Sequence, residues 1–157
     1  ANTIQIISFS IEDEIYGISI ESVLEVIRVN NIKRIPKSPE YLKGIINLRG
    51  EVIPIIDLRQ RLGINEIADT KYKRTMIVKV NGKKLGMIVD KVYKVLRVNK
   101  EDIRQSDNFS SMVDNNFVEG IVMSGENMII IIDIDKVFTS VELTEYEEMQ
   151  KLAEQTA

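Results

Sequence analysis

The sequence predicts an all-β protein with a few short helices, made from two tandem copies of one unit. Three observations predict it. Apolar residues come in short runs rich in isoleucine and valine, separated by turn signals, which is the pattern of a β-barrel or sandwich. Between two such runs, Asn81-Gly82 supplies the positive φ angles of a tight hairpin turn. Finally, residues 16–30 repeat as residues 85–99 without a gap.

That repeat holds six identities: Gly17 with Gly86, Val23 with Val92, Val26 with Val95, Arg28 with Arg97, Val29 with Val98 and Asn30 with Asn99. Gly44 to Asp57 lies over Gly120 to Asp133 with the same glycine-to-aspartate spacing. Upstream, Ile6 to Gly17 matches Met76 to Gly86 with one residue fewer in the turn. Three matched segments in one order argue for duplication, the first copy spanning roughly residues 4–63 and the second roughly 74–140 of a single 157-residue domain. Units of this size sit near the lower limit of independent stability. The copies are therefore expected to pack together or to exchange strands. Met128 to Ile132, apolar on both faces, needs cover on both.

The elements follow in order. A hairpin is expected within Ile6 to Gly17 and a strand continues toward Asn30. Ser38 to Gly44 reads as a short helix, with Ser38 as cap and Pro39 in its first turn. Gly44 to Asp57 reads as strand, turn and strand, hinged on Leu48-Arg49-Gly50. Pro54, lacking an N–H, marks that second strand as an edge or a bulge. Asp57 to Gly63 begins on a capping aspartate and ends on a glycine. Ile64 to Lys73 is polar and aperiodic, a mobile-looking connection. Hairpins follow at Met76 to Asp90 and Gly120 to Asp133. The chain closes with a helix over roughly 143–155, with Thr144 and Glu147 spaced as a capping box and Leu143, Tyr146, Met149 and Leu152 on one stripe.

Composition narrows the chemistry. There is no cysteine and no histidine, which removes disulfides, thiolate metal sites, the commonest general base and every Ser-His or Cys-His pair. Glu12, Asp13 and Glu14 fall in a hairpin turn, where solvated charge is the default, and Asp57, Asp90 and Asp133 read as caps. No glycine pattern makes a phosphate loop. An enzyme is not expected, nor a catalytic residue, cofactor or metal. A net charge of −3 and the lack of tryptophan disfavour a nucleic-acid partner, leaving an oligonucleotide-binding barrel as the weaker alternative. Lys33, Arg34, Lys37 and Lys43 read as a solvated loop. No apolar run is long enough to span a membrane, and the first residues lack the features of a signal peptide, so a cytoplasmic location is expected.

An interaction module remains, and the duplication sorts its residues. Positions common to both copies serve the fold, which assigns Gly17, Val23, Val26 and Val29 to structure. Positions that differ are free to serve a partner: Glu25 stands against Lys94, and Arg49 against Gly125. An arginine fork held on a tight turn is suited to carboxylates and to interface hot spots.

The segments EIYGISIESVLEVI, RIPKSPEYLKGIINLRGEVIPIIDLRQRLG, IVKVNGKKLGMIVDKVYKVL and FVEGIVMSGENMIIIIDIDKVF together resemble the bacterial chemotaxis coupling family, CheW, over nearly the whole chain. The most specific part is NLRG and its flanks after the lead Pro36, Pro39, Gly44. The resemblance implies two intertwined five-stranded barrels of the OB/SH3-like kind plus the C-terminal helix. It also implies an adaptor without catalysis that joins chemoreceptor cytoplasmic tips to the regulatory domain of the histidine kinase CheA, recruited to membrane-associated receptor arrays. That kinase domain and CheV carry similar domains, so an excised domain of either is the alternative within the family. Carried over by position, the receptor-facing residues are Val23, Glu25, Lys43, Gly44 and Arg49. Val23 is thus claimed both by the fold and by the partner. The kinase-facing residues are left unassigned, with an open edge or end of one barrel as the expected location.

Overall fold

The structure, a computed structural model, describes residues 2–105 and 117–156. In chain order its elements are β1 (Thr3–Ile11), β2 (Glu14–Ser19), β3 (Val23–Ile27), β4 (Leu42–Leu48), β5 (Glu51–Asp57), α1 (Leu58–Arg61), β6 (Arg74–Val80), β7 (Lys83–Val89), β8 (Lys91–Asn99), β9 (Val118–Ser124), β10 (Asn127–Ile132) and α2 (Ser140–Thr156). Strands β1 to β5 correspond to β6 to β10. The hairpins β1–β2 and β6–β7 both close on two-residue turns, with Ile11 opposite Glu14 and Val80 opposite Lys83. The one-residue gap expected in that turn is therefore not there; the match begins at Thr75, not Met76.

The copies exchange strands. One five-stranded sheet has the order β8-β1-β2-β10-β9, the other β3-β6-β7-β5-β4. Each hairpin of one copy is completed by three strands of the other, in the same order. The copies join through antiparallel ladders of β1 with β8 and β3 with β6, and through two short parallel ladders, Ile15 to Gly17 with Ile129 to Ile131, and Ile55 to Asp57 with Gly86 to Ile88. Gly17 and Gly86 sit in these ladders, and a Cβ there would come within 2.7 Å of Ile6 Cδ1 and 2.6 Å of Ile55 Cδ1 respectively. The shared glycines are thus explained by close packing at the crossing point.

Burial follows the exchange. Ile6, Val98, Val122, Ile129 and Ile131 form the private core of the β1 sheet. Ile46, Ile53, Ile55, Ile67, Ile77 and Ile88 form that of the β6 sheet. Between the sheets lies a larger core that includes Phe9, Ile18, Ile56, Met76, Val78 and Met87. The apolar strand β10 is divided accordingly: Ile129 and Ile131 enter the private core, while Ile132 enters the shared one. Burying one such side chain stabilises by about 1.5–3 kcal/mol, so the shared core holds the halves together.

Four expectations change. Ser38 to Gly44 is a turn that runs directly into β4, because Leu42 pairs with Ile56 and the chain must be extended there. Ser38 Oγ donates to the Ile35 carbonyl at 2.7 Å instead of capping a helix. Strand β5 is interior, not an edge; Pro54 lies just outside the ladder with β7, so its missing N–H interrupts nothing. The connection at residues 64–73 has no regular structure but is pinned by Ile67, whose side chain is buried and whose N–H donates to Asp57 Oδ2 at 3.0 Å. Helix α2 starts earlier than expected, and its reciprocal cap is Thr139 with Glu142: the Glu142 N–H donates to Thr139 Oγ1 at 3.1 Å and the Thr139 N–H to Glu142 Oε1 at 3.2 Å. The side chains of Thr144 and Leu152, singled out from the sequence, lie outside the described residues.

Helix α2 docks through Leu143 and Tyr146, both buried, and through Met149. One carboxylate organises the contact. Arg61 of α1 grips Glu142 with Nε to Oε2 at 3.0 Å and Nη2 to Oε1 at 2.8 Å, and its Nη2 also reaches the Val137 carbonyl at 2.7 Å. The Tyr41 and Tyr146 hydroxyls donate to the same carboxylate. Burial works to raise the pKa of Glu142, but hydrogen bonds from Arg61 and Thr139 together with the Arg61 charge outweigh it and hold the carboxyl below its ordinary value. A depressed carboxyl contributes stability above its unfolded value, and that contribution is lost as pH falls through the folded value.

Two outcomes are expected. Arg61→Ala should lower stability by about 2–3 kcal/mol in urea unfolding, between the cost of breaking an exposed and a buried pair. In Glu142→Gln, stability should fall less steeply than in the parent as pH drops below the ordinary glutamate value of 4.5, measured by thermal melts across that range.

Candidate interaction site

Glu25 and Arg49 meet. Arg49 occupies the two-residue turn between β4 and β5 with φ of 51°, followed by Gly50 at 85°. The turn is fixed by the Gly50 N–H, which donates to Asn47 Oδ1 at 2.9 Å. From there the Arg49 guanidinium donates through Nη2 to Glu25 Oε2 on β3. These strands stand at opposite ends of their sheet's order. The chain leaving β3 is also bonded to β4, Lys33 and Ile45 exchanging both backbone hydrogen bonds at 2.9 Å. Beside the pair, Lys84 Nζ lies 2.9 Å from Glu51 Oε2.

A β-bulge shapes the neighbourhood. Val23 pairs with Val78 and Glu25 with Ile77, so Leu24 is the extra residue and stands 46% exposed. Bulges of this kind re-aim side chains. Val23 is half-buried against the shared core, which favours its structural reading. Val26, assigned to the fold because the copies share it, is 37% exposed, as is its counterpart Val95 at 44%. Both copies expose this position, so identity between them did not mean burial. Leu24 and Val26 were missed as surface residues; the signal was the alternation of VLEVI on an edge strand.

Lys43 and Gly44 lie elsewhere. From Arg49 back to Lys43 the strand covers about 20 Å. Lys43 is the extra residue of a second bulge, since Leu42 pairs with Ile56 and Gly44 with Ile55. Its ammonium sits 3.4 Å from Glu66 Oε1 in the connection, and its side chain is only 17% exposed. Gly44 has φ of +139°, and a Cβ there would fall 2.1 Å from the Lys33 carbonyl oxygen. Its counterpart Gly120 meets the Arg104 carbonyl in the same way, at 2.8 Å, where Arg104 and Ile121 repeat the bridge. Four of the five predicted residues therefore divide into a charged pair at one end of β4 and a lysine and glycine at the other, with Val23 beside Glu25 on β3.

The Glu25–Arg49 pair is exposed, with side-chain accessibilities of 31% and 69%. Such pairs contribute about 0–1 kcal/mol to stability, so both groups are free to exchange partners at little cost. Among the described residues no cluster of three or more acidic side chains is placed to hold a metal ion, and no helix is long and apolar enough to cross a membrane.

A strand-exchanged duplication that displays a replaceable ion pair on a rigid turn has the geometry of an interaction module. Comparison with known proteins specifies which one. The family model described as "CheW-like domain" matches residues 5–142, and the chain belongs to that family. It is 35% identical over 153 residues to the chemotaxis protein CheW of Treponema pallidum, covering 95% of this chain and 86% of that protein. With the probable chemotaxis protein CheW of Rhizobium etli it shares 35% identity over 138 residues, 88% of this chain and 89% of the relative. The crystal structure of the scaffolding protein TtCheW from Thermoanaerobacter tengcongensis matches with a TM-score of 0.78 and 41% identity, over 86% of this chain and 92% of that one.

The glycine geometry makes a specific demand. Gly44→Ala should destabilise by at least about 2 kcal/mol, from positive-φ strain and the Lys33 clash, and its thermal melt should shift downward. Gly120→Ala, tested alongside, should be destabilised less, because its Cβ would meet the Arg104 carbonyl oxygen at 2.8 Å without left-handed backbone strain.

Proposed function

We propose that this chain is a non-catalytic chemotaxis adaptor that couples the cytoplasmic tip of a chemoreceptor to the regulatory domain of the histidine kinase CheA. It acts in the cytoplasm at membrane-associated receptor arrays. Support comes from the family membership and the scaffolding relative. The observation that carries the receptor-facing part is the exposed Glu25–Arg49 pair on its rigid turn, flanked by Leu24 and Val26.

In this reading a receptor helix brings a carboxylate that replaces Glu25 on the Arg49 fork, while apolar side chains cover Leu24 and Val26. Lys43 contacts the same helix further along, held out by the bulge that the buried Gly44 permits against Lys33, and Val23 supports the first bulge beneath. A separation of about 20 Å fits within one partner's share of a standard interface, about 800 Å², or some 30 Å across. Signal passes as a change in geometry among three proteins, and no bond is made or broken on this chain.

Arg49→Asp should weaken binding to a purified receptor cytoplasmic fragment about thirtyfold, the loss of one hot spot of roughly 2 kcal/mol. Circular dichroism and melting temperature should stay close to those of the parent. Unchanged receptor affinity in this variant refutes the assigned role.

A further inference from the structure

The two copies differ most at equivalent ends of the two sheets. In the β6 sheet that end is filled and closed. Ile77 and Ile53 are buried there, Leu48 packs on them, and the pairs Glu25–Arg49 and Lys84–Glu51 span the rim. The strand correspondence gives each position a counterpart in the β1 sheet. Ser8 replaces Ile77 and Ser124 replaces Leu48, so the filling side chains are smaller. At the rim Lys94 replaces Glu25, Gly125 replaces Arg49, Ile15 replaces Lys84 and Asn127 replaces Glu51, so both ion pairs are gone.

The result is a groove of about 590 Å³. Ile15, Val92 and Leu96, all partly exposed, line it with aliphatic surface above the buried Ile129, and among the described residues Lys91 and Lys94 are its only charged lining residues. Among the described residues neither lysine has a carboxylate within salt-bridge distance. Lys91 is held between two rings, its Nζ 4.8 Å from the centroid of Tyr72 and 5.1 Å from that of Tyr93. Lys94 is exposed. The groove thus combines an aliphatic floor with positive charge at its edge.

We propose that this groove is a second protein-docking site, and that its occupant is a partner's peptide segment carrying an aliphatic side chain next to a carboxylate. The aliphatic group enters over the partly exposed Ile15 and Leu96, where Ile77 fills the other sheet, gaining hydrophobic burial. The carboxylate meets Lys94, taking the place that an ion pair holds in the first copy. A nucleic acid is a poorer fit, because phosphates need a track of cations and gain nothing from an aliphatic floor. The site shares no residue with the Glu25–Arg49 face, so it stands independently of the receptor reading above.

The test uses the ¹⁵N-labelled full chain, titrated with acetyl-Leu-Glu-Glu-Leu-amide, acetyl-Leu-Lys-Lys-Leu-amide and an oligothymidine. The acidic peptide is expected to shift the amides of Lys94, Ser124 and Ile129 saturably in the millimolar range, and the other two probes are not. Lys94→Glu combined with Gly125→Arg installs the ion pair of the first copy. Arginine is tolerated at that turn position, since Arg49 has φ of 51° and Gly125 has 61°. In the double variant the acidic peptide should bind about tenfold more weakly or not at all, as should happen in the milder Lys94→Gln. Absence of groove shifts with the acidic peptide, equal shifts with the basic peptide or the oligothymidine, or full binding by Lys94→Gln overturns the proposal.

Discussion

Everything in this fold depends on two short parallel ladders, β2 with β10 and β7 with β5. They are where one copy's first hairpin accepts the other copy's second hairpin. Without them each sheet would fall into a three-stranded piece, β8-β1-β2 or β3-β6-β7, and a two-stranded ribbon, β9-β10 or β4-β5, marginal in water. With them each sheet has five strands and a private core, and the two sheets share a third core between them. Glycines 17 and 86 occur at both ladders, where a Cβ would press on the tightly packed ends of Ile6 and Ile55.

Much of this was legible in the sequence, and the misses have physical causes. Duplication, hairpins and the Asp57 cap were readable because period-two patterning and turn chemistry are local. Which copy a strand pairs with was not, because matched repeats allow self-pairing and exchange alike; only the three-dimensional closure of the cores decides. The false helix at Ser38 to Gly44 arose from good capping letters overruled by the pairing of Leu42 with Ile56. The late start given to α2 came from taking Thr144 and Glu147 as the box, when Thr139 and Glu142 carry it.

The site was legible in part. Comparing the copies picked out Glu25 and Arg49 as odd members of their pairs, and they bond to each other. The same logic misplaced Val26, since both copies use that position on an exposed edge strand. Nor did linear reading separate Lys43 from Arg49. Two residues of one short segment are close in sequence, yet a strand carries them to opposite ends of a sheet. The single-letter differences at Ser8, Ser124 and Gly125 acquire meaning only when set against Ile77, Leu48 and Arg49 in space.

The exchange of strands also governs how the chain is born. As residues emerge from the ribosome in order, β1 and β2 must wait for β8 and β10, and Ile15 cannot find Ile129 until more than a hundred further residues have been made. Contacts this distant fold slowly, and in the interval the first copy presents unpaired strand edges of the kind that invite association. The charged residues Glu12, Asp13 and Glu14 at its first turn, all exposed in the native state, place like charges on that waiting segment.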